Sequence, residues 1–192
     1  MSIIYTIAPF ISIGSAYISI FIGSYVLSRQ PQSTLHRVFF AMCLFQAHWG
    51  WCEFCWRTAD TALQALLWFK IHSIWPVFLV LMFHFALVYI DKEHWARKKS
   101  ILAIMYGPAL VFIALIQIFP DHYPYPDRMP WGYTFFIPEN AGVYTGIIVW
   151  SFILQVSALM MIIYYYFRRA QGRKKIQTGF ILVALILGLI VN

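Results

Sequence analysis

Charge is the commodity this chain has least of. Asp, Glu, Lys and Arg make up 11% of its 192 residues, where soluble domains carry about a quarter. Apolar residues make up 61%, so an ordinary water-soluble domain is excluded. Cysteine is scarce too: Cys43, Cys52 and Cys55 form an odd set inside one apolar segment, which does not suggest a disulfide framework. The first apolar run is long and has no basic residue before it, so it reads as a spanning helix and not as a cleaved leader. There is no strand–glycine-loop–helix unit, no nucleophile elbow and no helix-borne zincin motif. No catalytic residue is assigned, and the chain is not expected to be an enzyme.

What is present is a succession of apolar runs, and a crossing needs about 20 such residues. The runs extend over 5–27, 38–57, 63–90, 100–119 and 142–167, and a final one, 180–191, is too short to cross. The expected fold is therefore an all-α multi-pass transmembrane bundle of about five full spans plus a truncated sixth. The whole of 1–192 reads as one transmembrane domain, incomplete at its C-terminus. The links after the first, third and fifth runs hold Arg29, Arg37, Lys92, Arg97, Lys98, Lys99, Arg168, Arg169, Arg173, Lys174 and Lys175, eleven of the fourteen basic residues. The excess of Lys and Arg on cytoplasmic loops then places the N-terminus outside. It also accounts for the net charge of +7 without a nucleic-acid partner; the partner implied is the lipid bilayer. The link 120–141, with five prolines and six aromatics, reads as an ordered extracytoplasmic cap, because proline lowers the entropy cost of order. An interfacial aromatic belt is the alternative.

An ionisable side chain is costly in a membrane and faces the bundle interior or water. In the stretch "HWGWCEFCWRTAD" (48–60), Gln46, Gly50, Glu53 and Arg57 share one helix face, and His48, Cys52 and Cys55 the opposite one. Glu53 and Arg57 have the spacing of an intrahelical ion pair. At 1.5 Å per residue, Glu53 lies roughly 8–9 Å outside the midplane, level with Lys70 and His72 of the third run. Glu53 is expected to reach one of those two, and a His72 near a carboxylate also permits a pH sensor. Pro76 clashes with the carbonyl of His72, which predicts a hinge and a free acceptor there. Trp51, Trp68, Trp75, Trp150, Trp131 and Tyr133 gather on the same side. Together with Glu53, Arg57 and His72 they form the expected ligand site, an outward-facing aromatic pocket; a purely structural network is the competing reading.

Soft-ligand and cofactor chemistry finds little support. His48, Cys52 and Cys55 lack a fourth ligand for zinc or copper, and His48, His72 and His84 lie at three different depths, so no pair suits haem. No metal and no cofactor is expected. His84 reads as a hydrogen-bonding partner of a neighbouring helix. One off-centre carboxylate is thin support for a proton relay, which leaves a small-molecule or proton-coupled transporter as the alternative function.

From the third run onward, the sequence resembles the seven-helix membrane input region found at the front of prokaryotic sensor histidine kinases. The resemblance rests on "SIWPVFLVLMFHFALVYID" (73–91), with Pro76, Phe85, Ala86, Leu87 and Tyr89, and on "LAIMYGPALVFIALI" (102–116), with Tyr106, Gly107 and Pro108. It covers roughly 35–192 and implies seven spans in the intact domain, a homodimer in a prokaryotic cytoplasmic membrane, and joined cytoplasmic output domains. The function it implies is a sensory input module that binds a small ligand and relays a helix rearrangement. The kinase itself is not in this chain, and the resemblance identifies no ligand residue.

Overall fold

Long apolar runs without water can satisfy their backbone groups only within the segment, so they become helices. The computed structural model describes residues 3–122, 124–130 and 132–191. Helix α1 (Ile3–Arg29) returns through α2 (Thr34–Arg57), followed by α3 (Ala62–His72) and α4 (Pro76–Tyr89). A short α5 (Glu93–Ala96) leads to α6 (Lys99–Ile118), a hairpin of β1 (Tyr125–Met129) and β2 (Gly132–Phe136), α7 (Gly142–Arg168) and α8 (Gly172–Val191). The fold is all-α apart from that hairpin. Among the described residues, four helical runs are long and apolar enough to cross a membrane: 7–29, 62–89, 99–118 and 142–168. Helix α2 matches them in length, but Gln46, His48, Glu53 and Arg57 dilute its apolar character.

Three local devices shape the bundle. At 58–61 the chain reverses on a capping box: Gln64 N–H donates to Thr61 Oγ1, and Thr61 N–H donates back to Gln64 Oε1, both at 3.3 Å. Two orphan donors of α3 are satisfied this way. At Pro76 the expected kink is a full break. Proline lacks an N–H, so it starts α4 as its first residue, and 73–75 form a turn. The His72 carbonyl is not left free: Trp75 N–H donates to it at 3.1 Å, a three-residue turn replacing the lost helical bond. The third device is the close approach of α1 and α2. A Cβ at Gly50 would collide with the Ser12 carbonyl, and one at Gly23 with Cys43, so small residues set this seam.

The link 120–141 contains more structure than a cap of prolines suggests. Its two strands pair antiparallel, with Tyr125 opposite Phe136 and Met129 opposite Gly132, and the Tyr125 and Phe136 rings lie 5.5 Å apart. Helix α8 begins eight residues before the expected apolar run and takes in Arg173, Lys174 and Lys175, whose apolar stems tolerate the interface. The basic links all lie at one end of the bundle. Glu93 accepts from Thr34, and Asp91 meets Lys174. The hairpin and the 58–61 turn lie at the other.

Candidate functional site

At the hairpin end, side chains from α2, α3, α4, α6, α7 and β2 converge. Trp56, Phe69, Trp75, Ile116, Tyr133 and Ile147 form one buried cluster, with Trp49, Trp68 and Tyr144 packed around it. Trp49 meets the His72 ring edge-on at 4.8 Å, and Trp56 meets Phe69 at 5.7 Å. The α2 face turned toward α3 is thus the one carrying His48, Trp49, Cys52 and Trp56. His48 Nε2 lies 3.2 Å from the Ile71 carbonyl, and Cys52 Sγ lies 3.7 Å from His48 Nε2.

That orientation corrects one expectation. Gly50, on the face of Glu53, abuts α1, so Glu53 does not reach His72 or Lys70. It accepts from Arg57 Nε at 2.8 Å, and the guanidinium lies 4.7 Å from the centroid of Trp56. Both ring nitrogens of His72 are buried without a hydrogen-bond partner among the described residues. The carboxylate required by a His72 pH sensor is therefore not beside it.

The other expected site residues divide in three. Trp75, Trp68 and Tyr133 join His72 in or around the aromatic cluster. Trp51 points away and is 45% exposed. Trp150 meets Phe112 at a tilt, centroids 5.6 Å apart, and packs with the neighbouring cluster of Val80 and Ala109. Trp131 lies outside the described residues. Tyr133 reaches the cluster because the hairpin seats on the end of α2. Gly132, at φ +129°, presses against the Arg57 carbonyl, where a Cβ would not fit.

Beside the cluster lies a cavity of about 460 Å³. Helix α3 packs on α2 and β1, and α6 on α4, α7 and the 120–122 turn, so a space remains between the ends of α3 and α6. Its floor is Phe69, Ile116 and Pro124, all buried, and its mouth holds Lys70, Asp121 and Asn140, all exposed. Ligand pockets are mostly apolar with a few placed polar groups, at about 300–1,000 Å³. A second concavity, at the basic end along α7 and α8 by Tyr166 and Lys175, is shallow and open.

Directly below the cavity is the α3–α4 break. Ser73 is fully buried there; its hydroxyl donates to the Lys70 carbonyl at 2.6 Å and accepts from Gln117 Nε2 at 3.0 Å. One small side chain thus ties the break to α6. Sequence reasoning missed both residues, since a Ser and a Gln in apolar runs carry no signal of mutual contact. Farther down, His84 Nδ1 is 3.0 Å from Tyr106 Oη, the interhelical bond expected of His84.

At the basic end one set of polar groups is tied across helices. Helix α4 ends on a Schellman pair, Lys92 N–H to Leu87 O and Asp91 N–H to Val88 O, with Asp91 at φ +63° where glycine is usual. Asp91 accepts from Tyr165 Oη at 3.2 Å and from Lys174 Nζ at 3.4 Å. The Lys174 ammonium lies 5.5 Å from the Tyr89 and Tyr165 rings. The buried Thr178 gives its single proton to the Lys174 carbonyl, so Tyr89 Oη is the donor in the 3.0 Å bond between them. Partial burial pulls the Lys174 pKa down, but Tyr165 and Asp91 outweigh it, and the net shift is upward. Glu93 is held below its ordinary value by the Thr34 hydroxyl and by Arg97. The sequence had singled out Tyr89 and counted Lys92, Arg97 and Lys174 among the basic links, but gave no sign that Tyr89 and Lys174 meet Asp91, Tyr165 and Thr178.

A family model described as the N-terminal 7TM region of histidine kinase matches residues 11–192. No curated protein and no solved structure gives a significant match.

Proposed function

The chain belongs to the N-terminal 7TM region of histidine kinases, and from that premise we propose that it receives a small ligand in the cavity at its hairpin end and passes a helix rearrangement to α8. The basic links face the cytoplasm on this reading, following the excess of Lys and Arg on that side. Helices α1, α2, α3–α4, α6 and α7 make five crossings, α8 begins a sixth, and the N-terminus is outside. The protein acts as a homodimer in a prokaryotic cytoplasmic membrane.

The observation that carries the proposal is the position of the α3–α4 break. It lies between the cavity, whose floor residue Phe69 is on α3, and the Asp91–Tyr165–Lys174 tie at the foot of α4. A ligand wedged between α3 and α6 strains the Ser73–Gln117 bond. The break, with Pro76 as its hinge, lets α4 shift against α7, and the tie at Asp91 carries the shift to α8. His72, Trp68, Trp75 and Tyr133 form the wall behind Phe69. Glu53 and Arg57 support the hairpin's seat, while Trp51 and Trp150 stand outside the ligand path. A ligand can move the equilibrium only by its differential affinity for the two arrangements.

Orientation is tested first. A chain with its cysteines replaced by alanine and a single cysteine at Asp60 or Gln171 is treated with a membrane-impermeant maleimide on intact cells. Labelling at 60 and not at 171 is expected, and the reverse pattern removes the reading. In proteoliposomes the sensor binds without moving solute; sustained substrate flux would favour the transporter instead.

A further inference from the structure

The cavity's mouth is built from opposite charges that do not satisfy each other. Lys70 and Asp121 both line it, yet among the described residues neither side chain has an ion-pair or hydrogen-bond partner. Elsewhere, Arg57 has Glu53, Arg97 has Glu93 and Lys174 has Asp91. Lys70 lies on the last turn of α3, at the end of an apolar stretch, and is exposed at the mouth. Asn140 completes the mouth, and its backbone is held there, with His122 Nδ1 2.7 Å from its main-chain carbonyl. Below these groups the lining is apolar and aromatic.

We propose that the ligand is an amphipathic zwitterion: its anionic group bonds Lys70, its ammonium bonds Asp121, and its apolar body rests on Phe69 and Ile116. This rests on the cavity being the ligand site. A dianion is disfavoured by Asp121 and a simple amine by Lys70. An uncharged ligand forgoes both charge-assisted bonds, each stronger than a neutral one. The chemistry is shared by a free apolar amino acid and by a phosphatidylethanolamine headgroup with its first methylenes.

The test uses the whole chain in phosphatidylglycerol nanodiscs, with binding read from tryptophan fluorescence, since Trp56 and Trp75 border the cavity floor. The probes are phenylalanine, phenylpropionate (carboxylate only), phenethylamine (amine only) and benzyl alcohol (neither). Phenylalanine is expected to bind about tenfold tighter than either singly charged analogue, the scale of one charge-assisted bond. In Lys70→Gln the advantage over phenethylamine disappears; in Asp121→Asn the advantage over phenylpropionate disappears. Both residues are exposed, so neither variant endangers folding. Equal affinity for phenylalanine and phenylpropionate, unmoved by Asp121→Asn, would overturn the zwitterion. If analogues still bind and Leu66→Trp, which fills the cavity, abolishes their binding, the cavity reading stands while this inference falls. If no probe binds and Leu66→Trp changes nothing, both fall. Discs containing phosphatidylethanolamine separate the two sources: weaker apparent binding of phenylalanine there identifies the lipid headgroup as the occupant, and unchanged binding a free solute.

Discussion

A polar cluster at one end of this bundle is satisfied within itself, and one at the other end is not. At the basic end, Asp91, Tyr165, Lys174, Tyr89 and Thr178 satisfy one another across α4, α7 and α8. At the hairpin end, among the described residues, Lys70 and Asp121 border a cavity unpaired, and the two ring nitrogens of His72 are buried without a hydrogen bond. A tied end transmits movement because its helices shift together; an end with unmatched groups and room beside them has something to gain from a visitor. Sensing and relaying need both properties, separated along one helix pair by a break.

The contrast can be broken by mutation, and the effects should descend in size. Phe69→Ala removes a buried ring shared by cluster and cavity, and should lower stability in nanodiscs by about 3 kcal/mol or more, seen as an earlier thermal transition in tryptophan fluorescence. Gly132→Ala forces a Cβ into the Arg57 carbonyl at a left-handed φ. It should cost about 1–3 kcal/mol and deprotect the hairpin in hydrogen exchange while the basic end is unchanged. Thr178→Val leaves the Tyr89 hydroxyl buried without its acceptor, a loss of about 1–2 kcal/mol, and should deprotect α8 only. Glu53→Gln should cost a few tenths of a kcal/mol, as one-turn surface-type pairs do; a large loss there would give the pair a role beyond supporting the hairpin.

The basic end should also respond to pH from both sides. Lys174 has a folded pKa above its ordinary 10.5, so its stabilisation is full below that value and is lost as pH rises through the folded pKa. Glu93 has a folded pKa below its ordinary 4.5, so its contribution is full above that value and is lost as pH falls through the folded pKa. Protection in α8, taken relative to the intrinsic exchange rate at each pH, should therefore fall at high pH in the wild type, and Asp91→Asn should weaken that dependence. Protection near Thr34, taken the same way, should fall at low pH, and Glu93→Gln should remove the effect.

The sequence was informative wherever one residue type decides the outcome by itself. Apolar runs located the helices, Pro76 the interruption of the third, and the distribution of Lys and Arg the basic end. It was uninformative about rotation and pairing. Glu53 and Trp49 are four residues apart, but which of their faces meets α3 depends on the close α1–α2 seam at Gly50, a long-range packing result. The Trp residues were counted together by depth, yet Trp51 and Trp75 lie on opposite sides of the core boundary. Ser73, Gln117, Asp91 and Thr178 act through partners up to 89 residues away in the chain. The hairpin was obscured because the five prolines and six aromatics of the 120–141 link describe order without saying which order.

The most direct trial of the relay joins the two ends in one experiment. Spin labels placed at the exposed positions Trp95, beside the foot of α4, and Phe180 on α8 report their separation by pulsed electron resonance in nanodiscs. The comparison is between the wild-type cavity and one filled by Leu66→Trp. If the break transmits, filling the cavity displaces the distance distribution, and Asp91→Ala, which cuts the tie, abolishes the displacement. An unchanged distribution, with the cavity demonstrably filled, would mean that the two ends do not communicate through α3 and α4.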